Sequence, residues 1–435
     1  MSSYNYPEAL ENIDRAINLW AQLKTETGAA GVADKVAEIS ALIDEKLAEL
    51  RALPDNAALL EAEPDDLAGI RALRPAGARR YWTELPMDSY RDRIEGAILG
   101  RFAGCVLGSI VECWEVDKME RWAAYLGDAF PPEDYWSEAE RPNDLKYRTC
   151  LRDTFTRSKM DGVPTDDDII YTQLGMLILE DFGPDFSVDD VGAAWMKYLP
   201  HAATAEGVAL RNLQAGVPPM EAATVDNPFM FWIGADIRSD PWAYAAPGYP
   251  EMAAEFAWRD ATISHRRNGV YGAMYFSAAI SAAFALGDPM KALEAGLAEI
   301  PVDCLLAREL RWALEAAGDI KDYREARAAV DSRYAGMHRI HTINNALLTV
   351  WGLSIGGEDY GKVIGETVAM GLDNDCTAAT AGSLFGAAYG KDAIPEHWTR
   401  NFNNKVYSYI IGKPQFALDD MYDRFTALAA QVLAG

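Results

Sequence analysis

Two segments of this chain carry a glycine at every fourth residue, and this repeat restricts the possible folds more than any other feature. The segments are RIEGAILGRFAGCVLG, with Gly96, Gly100, Gly104 and Gly108, and TAATAGSLFGAAYG, with Gly382, Gly386 and Gly390. A glycine inside an exposed helix costs about 1 kcal/mol relative to alanine. The four-residue spacing stacks the glycines on one helix face. Either two helices pack with unusually close backbones, or they cross beside a site that must be kept clear of side chains.

The rest of the chain also favours an all-α fold. Half of the 435 residues are apolar, long Ala-rich segments alternate with loops, and alternating strand patterns are scarce. No apolar run of about 18 residues is present, so no transmembrane helix is expected. The first residues lack the basic and apolar stretches of a secretory signal. We expect a soluble, cytoplasmic protein.

Charge and cysteine content narrow the class of partner and the compartment. Acidic residues outnumber basic ones by 66 to 40, which gives a net charge of −26. Such a chain repels a phosphate backbone, so general nucleic-acid binding is not expected. The five cysteines are scattered and odd in number. They match neither a disulfide framework nor a zinc-binding CxxC pair, as expected in a reducing compartment.

The N-terminal region predicts a helical hairpin. Residues 7–27 and 32–52 each place apolar side chains on one helical stripe, and Gly28 and Gly31 lie between them at positions typical of a helix end and a turn. We interpret residues 1–85 as a helical extension that mediates homo-oligomerisation or covers a surface. Residues 86–435 then form the main domain.

The first acidic cluster lies in PTDDDIIYTQLGMLILE. Thr165, Asp166 and Asp167 precede an apolar stretch and are expected at a helix N-terminus, where acidic residues complement the helix dipole. With Asp168, however, three consecutive aspartates repel one another unless solvent or a cation relieves the repulsion. The segment is therefore either an ordinary helix start or part of a metal site.

The second acidic cluster, GLDNDCTAATAGSLFG, again precedes a helix rich in small residues. Asp373 and Asp375 are two positions apart, and both can turn toward one ion in a loop that enters a helix. Carboxylate oxygens suit magnesium, calcium or manganese better than zinc. An EF-hand is excluded, because Ala378 and Leu384 stand where its glycine and its bidentate glutamate belong.

Four motifs in this order resemble the ADP-ribosylglycohydrolase family. They are GCVLGSIVE at the end of the first glycine-rich helix, TDD at a helix start, the stretch from IGADIRSDPW through HRRNGVYGAM to HRIHTINNALLTVWGL, and DNDCT before the last small-residue helix. The resemblance covers about residues 86–400. It implies a single large orthogonal helical bundle and usually two magnesium ions, with manganese as the other candidate.

The resemblance also implies roles for individual residues. The metal ligands would be Thr165, Asp166, Asp167, Asp373, Asp375 and Cys376. The catalytic residues would be Glu112 and Asp167. The substrate-binding residues would be Gly234, Asp236, His265, Asn268, Gly269 and His341.

Three positions depart from the family pattern. Cys105 stands where the family often has an aspartate, and Asp168 stands where a threonine is common. Cys376 stands where a threonine or serine often offers its hydroxyl to the second ion, and a thiol is a poor magnesium ligand. The second magnesium position is therefore provisional.

The implied function is metal-dependent hydrolysis of an N- or O-glycosidic bond to ribose, with Glu112 as the general base. The substrate would be an ADP-ribosyl group on a protein or a small nucleoside-like riboside, and no nucleic-acid or membrane partner is expected. Two alternatives stay open. One is a catalytically degenerate ADP-ribose-binding relative, with Cys376 as the first sign of decay. The other is an isoprenoid synthase, which Ile170 opposes by standing where the last Asp of DDxxD belongs.

Aromatic and histidine residues in the middle of the chain allow two interpretations each. Phe229, Phe231, Trp232, Trp242 and Tyr244 either pack in the core or stack on a base. The HxxH spacing of His338 and His341 either lines a substrate pocket or makes structural hydrogen bonds.

Overall fold

The computed structural model describes residues 13–139 and 152–434, and the regular secondary structure there is almost entirely helical. The predicted all-α class is confirmed. The chain divides into two compact units, Met1–Glu61 with Tyr334–Gly336, and Ala62–Arg333 with Met337–Gly435. Residues 62–85, which the sequence interpretation placed in the N-terminal extension, belong to the second unit.

The first unit contains the predicted hairpin. Helix α1 (Ile13–Glu26) and helix α2 (Val32–Arg51) are joined by a turn in which Gly28 and Gly31 both have φ of 74°. The expected start of the first helix at residue 7 lies outside the described residues. No residue of α2 is buried, and 62% of Trp20 is exposed. The apolar stripes line a cleft of about 550 Å³ between the two helices.

Most of the second unit is built from short and medium helices. Helix α3 (Ala57–Ala62) comes before these helices in the chain. The helices of the second unit are, in chain order, α4 (Leu67–Leu73), α5 (Met87–Ser109), α6 (Val116–Leu126), α7 (Asp167–Phe182), α8 (Val188–Tyr198), α9 (Thr204–Gln214), α10 (Pro219–Ala222), α11 (Asp240–Ala245), α12 (Pro250–Ala261), α13 (Asn268–Leu286), α14 (Pro289–Gly296), α15 (Leu305–Ala316), α16 (Tyr323–Arg333), α17 (Thr342–Gly356), α18 (Tyr360–Ala369), α19 (Asn374–Tyr389) and α20 (Leu418–Ala434). Strands β1 (Val406–Tyr407) and β2 (Gln415–Phe416) form a small antiparallel pair with Val406 opposite Phe416.

Helices α5 and α19 pack antiparallel along their glycine faces. A methyl group at Gly104 would lie 2.1 Å from the carbonyl oxygen of Ala378, and one at Gly100 would lie 2.3 Å from that of Gly382. No real Cβ approaches a carbonyl so closely, so alanine at either position would force the helices apart. The predicted close approach of two helix backbones is confirmed.

One predicted helix starts later than the sequence pattern suggested. The apolar period predicts a helix over residues 335–354, but α17 begins at Thr342. His341 ends the preceding loop, because its Nδ1 accepts a hydrogen bond of 3.2 Å from the backbone N–H of Ile343. This bond caps the helix and leaves residues 337–341 free to run as a loop.

Helix α13 is the one helix in the described ranges that is long and apolar enough to cross a membrane. Of its most apolar window, 89% is buried inside the protein. Two hydroxyls on its buried face are bonded to protein groups, since Ser277 and Ser281 donate to the carbonyls of Ala253 and Ala246. These contacts are those of a core helix.

Candidate metal centre

The carboxylates from the two predicted clusters meet at one end of the α5–α19 pair. Glu112, Asp373 and Asp375 have ligand oxygens that all lie within 4.8 Å of one another, and we call them the oxygen cluster. Asp168, Asp375 and Cys376 meet the same criterion, and we call them the thiol cluster. Asp375 belongs to both, so the two clusters are adjacent.

The start of α7 is fixed from two sides. Asp166 is the N-cap residue, and its side chain accepts a bond of 3.3 Å from the N–H of Asp168. Ser109, the last residue of α5, donates its hydroxyl to Asp166 at 2.9 Å. Because the cap sets the rotation of the helix, Asp168 points inward and is buried, whereas Asp167 is exposed.

The start of α19 is held by a glycine contact and by α17. A methyl group at Gly108 would lie 2.5 Å from the backbone nitrogen of Asp375, so only glycine lets α19 begin this close to α5. The N–H of Asp373 donates to the side-chain oxygen of Asn345 at 3.0 Å. Leu372 reaches this position with φ of 62°, a left-handed conformation that side chains rarely adopt.

Two arginines partly balance the negative charge, and the sequence interpretation identified neither. Arg152 lies 3.1 Å from Glu112 and 3.3 Å from Asp166. Arg101 is completely buried in α5 and lies 3.3 Å from Asp168. Within the described part of the chain, these two guanidinium groups face the five carboxylates of Glu112, Asp166, Asp168, Asp373 and Asp375. The centre therefore keeps a negative excess that a divalent cation can neutralise.

The pKa shifts in the oxygen cluster also indicate a cation site. Burial and the neighbouring Asp373 raise the pKa of Glu112 to about 7, against the opposing effect of Arg152. Burial, followed by repulsion from Glu112 and Asp373, raises the pKa of Asp375 well above its ordinary value. One oxygen of Asp375 is buried and has no hydrogen-bond donor among the described residues. A cation would relieve the repulsion and satisfy this oxygen.

The two clusters differ in how well they fit magnesium. The oxygen cluster offers only carboxylate oxygens, the donors that magnesium prefers. In the thiol cluster, the Cys376 thiol donates to Asp168 at 3.1 Å and to Asp373 at 3.0 Å. Sulfur is a soft donor, so this position does not fit magnesium.

The structure brings most of the predicted metal-site residues together. The predicted ligands Asp166, Asp373, Asp375 and Cys376 converge as described above, together with Glu112, which was predicted as a catalytic residue. Thr165 and Asp167 are exposed next to Asp166, and their metal contacts stay predictions. Asp168 was missed as a cluster member; the signal available for it was the unexplained third aspartate of the DDD run.

The predicted substrate-binding residues are mainly buried. Asp236 packs against Gly272, where a methyl group would lie 2.1 Å from its carboxylate, and His265 bonds to Ser264 at 2.8 Å. Asn268 donates to Glu63 and accepts from the N–H of Leu306.

The two substrate-site glycines also contact protein groups. A methyl group at Gly234 would meet the Glu206 carboxylate at 2.2 Å, and one at Gly269 would meet the Met230 carbonyl at 2.3 Å. His341 is partly exposed. Substrate contacts for the whole set stay predictions.

An aromatic rim borders the centre. Trp232 stacks on His338, with ring centroids 4.0 Å apart and planes tilted by 11°, and Phe229 meets Trp232 edge-on at 4.6 Å. The next residue after His338, Arg339, donates to the carbonyl of Cys113, the neighbour of Glu112, at 2.7 Å. This contact joins the rim to the oxygen cluster. Trp242 and Tyr244, by contrast, are buried core residues.

Comparisons with known proteins show the family and the fold. The model of the ADP-ribosylglycohydrolase family matches residues 86–433. A solved structure titled "ADP-ribosylglycohydrolase-related protein complex" has the same fold, with a TM-score of 0.52 and 20% sequence identity, over 79% of this chain and 99% of that one. Among curated proteins no match was found.

Proposed function

This chain belongs to the ADP-ribosylglycohydrolase family, and on that premise we propose that it is a magnesium-dependent hydrolase of a glycosidic bond to ribose. The bond is an N- or O-glycosidic bond of an ADP-ribosyl group or a related riboside. The observation that carries the proposal is the convergence of Glu112 with Asp373 and Asp375, which are more than 250 residues away in the sequence.

The oxygen cluster supports the proposal that a divalent ion binds within reach of the substrate sugar. When bound, magnesium supplies positive charge that orients sugar hydroxyls and acidifies nearby water. Glu112, Asp373 and Asp375 would hold it, and Asp166 with the exposed Asp167 and Thr165 extend the polar surface. Asn345 and Gly108 position this surface through the backbone of α19.

Glu112 has the properties of a general base. A bound cation would offset the repulsion from Asp373 that raises the pKa of Glu112, so the carboxylate stays ionised and can accept a proton, and its partial exposure lets it reach water. In the hydrolysis, the water oxygen forms a bond to ribose C1 while the bond to the leaving group breaks. Glu112 takes the proton of that water and passes it to the departing group. Ribosyl transfer of this kind proceeds through an oxocarbenium-like transition state.

The aromatic rim supports recognition of a substrate that contains a nucleobase, either in the leaving group or in the part that stays attached to the ribose. The stacked Trp232 and His338 offer flat, partly exposed faces next to the catalytic residue. The acidic surface of the chain disfavours polyanionic partners such as nucleic acids. The cysteines in the described ranges are unpaired, which suits a cytoplasmic location.

The decisive experiment replaces Glu112 with glutamine. Glu112→Gln should lower kcat for release of ADP-ribose by about 10²-fold or more, the contribution typical of a general base. Magnesium binding, measured by calorimetric titration, should persist because the amide retains one oxygen ligand. Glu115→Gln, an exposed residue three positions away, is the matched control and should keep full activity.

Retained activity in Glu112→Gln contradicts the assigned role. The substrate class is settled with the wild-type enzyme, by comparing release from an ADP-ribosylated protein with hydrolysis of small ADP-ribose derivatives and nucleoside-like ribosides. Binding of ADP-ribose without turnover of any riboside would favour the non-enzymatic relative instead.

A further inference from the structure

We propose that the position bordered by the thiol cluster binds a thiophilic divalent ion of the zinc class in preference to magnesium, with Cys376 as the selecting ligand. The inference rests on the proposed function, since it concerns the same centre, but it is tested by metal binding alone.

The donor atoms at this position are mixed in character. Cys376 Sγ lies 3.1 Å from a carboxylate oxygen of Asp168 and 3.0 Å from one of Asp373, so its sulfur faces the space between carboxylates. Its side chain is 6% exposed, which leaves little room for water to replace the sulfur as a ligand. A cation bound among these groups therefore meets sulfur directly.

A buried oxygen without a partner belongs to Asp375, the residue that the thiol cluster shares with the oxygen cluster. Asp375 is 3% exposed, and its Oδ1 has no hydrogen-bond donor in the described part of the chain. A buried carboxylate oxygen without a partner carries a large desolvation cost. Asp375 shares the cluster with Cys376 and Asp168, with ligand atoms within 4.8 Å of one another, so a single ion can satisfy it.

A second thiol, that of Cys105, also lies close to Asp168. Cys105 Sγ groups with Asp166 and Asp168 within the same distance, and it lies 3.7 Å from the hydroxyl of Ser109. Both thiols thus face the carboxylate that α7 turns inward. Thiolate ligands raise the affinity for zinc, cobalt and cadmium far more than for magnesium. Binding displaces the thiol proton to solvent.

Cobalt is the probe for this site, because a thiolate bound to Co²⁺ gives a charge-transfer absorption band in the near ultraviolet. Titration of metal-stripped, full-length protein with Co²⁺ should produce this band. Cys376→Ser should remove it, whereas Cys304→Ser should retain it, since that buried cysteine caps α15 instead. The variant Cys105→Ser tests whether the second thiol is also a ligand. The proposal predicts that the cobalt band persists in this variant.

Selectivity is tested by competition. In the wild type, excess Mg²⁺ should leave the cobalt band in place and Zn²⁺ should remove it. Cys376→Thr should shift the ratio of zinc to magnesium affinity toward magnesium by roughly tenfold or more, as expected when a metal ligand is altered. Absence of the band in the wild type, or an equal band in Cys376→Ser, overturns the proposal. Neither readout involves riboside turnover, so the proposed hydrolase activity stands or falls separately.

Discussion

Two antiparallel helix pairs in this protein follow opposite rules. The pair α1–α2 carries Leu, Ile and Trp on its stripes, yet no residue of α2 is buried. The pair α5–α19 carries mostly Gly, Ala and other small residues on its contact face, yet nearly all of α19 is buried. Apolar content alone therefore does not decide which helices form the core here. In this protein the close approach of two helix backbones decides which helices form the core, because it gives dense packing with few large side chains.

The largest effect is expected from filling the contact between α5 and α19. Gly104→Ala should reduce the free energy of unfolding by about 3 kcal/mol, the upper range for overpacking, since the added methyl would lie 2.1 Å from a carbonyl oxygen. Chemical denaturation monitored by circular dichroism measures it. Gly318→Ala, where nothing lies within 4 Å of the added methyl, is the matched control. Equal stability of the two variants would show that the pair is loosely packed.

The second-largest effect distinguishes the two helix pairs by their response to magnesium. Magnesium at a hundred times its dissociation constant should stabilise the wild type by about 2.7 kcal/mol, because it binds only the folded centre at the end of α5–α19. Asp375→Ala, which removes both ligand oxygens, should abolish the increase in Tm, and Asp189→Ala, at an exposed residue of α8, should not. An unchanged Tm in the wild type at saturating magnesium would argue against a metal-binding oxygen cluster.

A smaller effect on stability is expected when the pH is lowered, through His341 at the start of α17. Burial, and then the neighbouring His338, lower the pKa of His341 to about 4. Since the unfolded state takes up this proton first, stability should fall as pH drops from about 6.5 towards about 4, by about 2 kcal/mol at about pH 5. His341→Asn retains a capping side chain and should lose less stability over this window. His201→Asn, an exposed histidine, should behave like the wild type.

The smallest effect on stability is expected in the hairpin. We propose that the exposed stripe of α1–α2 pairs with a second copy of the chain, since it lines an open apolar cleft. The double substitution Trp20→Ser and Leu23→Ser should change unfolding stability of the second unit by less than about 0.5 kcal/mol. It should convert a dimer to a monomer in sedimentation velocity. An unchanged oligomeric state would rule out this surface.

The sequence predicted the helical class and the close contact of α5 and α19, because a four-residue period translates directly into one helix face. It also predicted that Asp166, Asp373 and Asp375 belong to one centre, through the order of four motifs. These features depend on local spacing or on a family pattern, and both are readable from one chain.

What the sequence did not reveal depends on rotation and on distant partners. The cap at Asp166 turns Asp168 inward, and a shift of one residue would have turned Asp167 inward instead. Arg101 and Arg152 pair with carboxylates far along the chain, and no local pattern encodes such pairs. The loop before α17 depends on a single capping bond from His341.

The contact of Gly108 with the first turn of α19 leaves the centre no freedom to adjust its width. A smaller ion cannot be accommodated by moving the two helices closer together, because their backbones already touch. Adaptation to another metal must then proceed by exchanging one donor atom at a time on a fixed frame. If the position bordered by the thiol cluster binds a zinc-class ion as we propose, Cys376 is such an exchange, and one side chain on this fixed frame selects the ion.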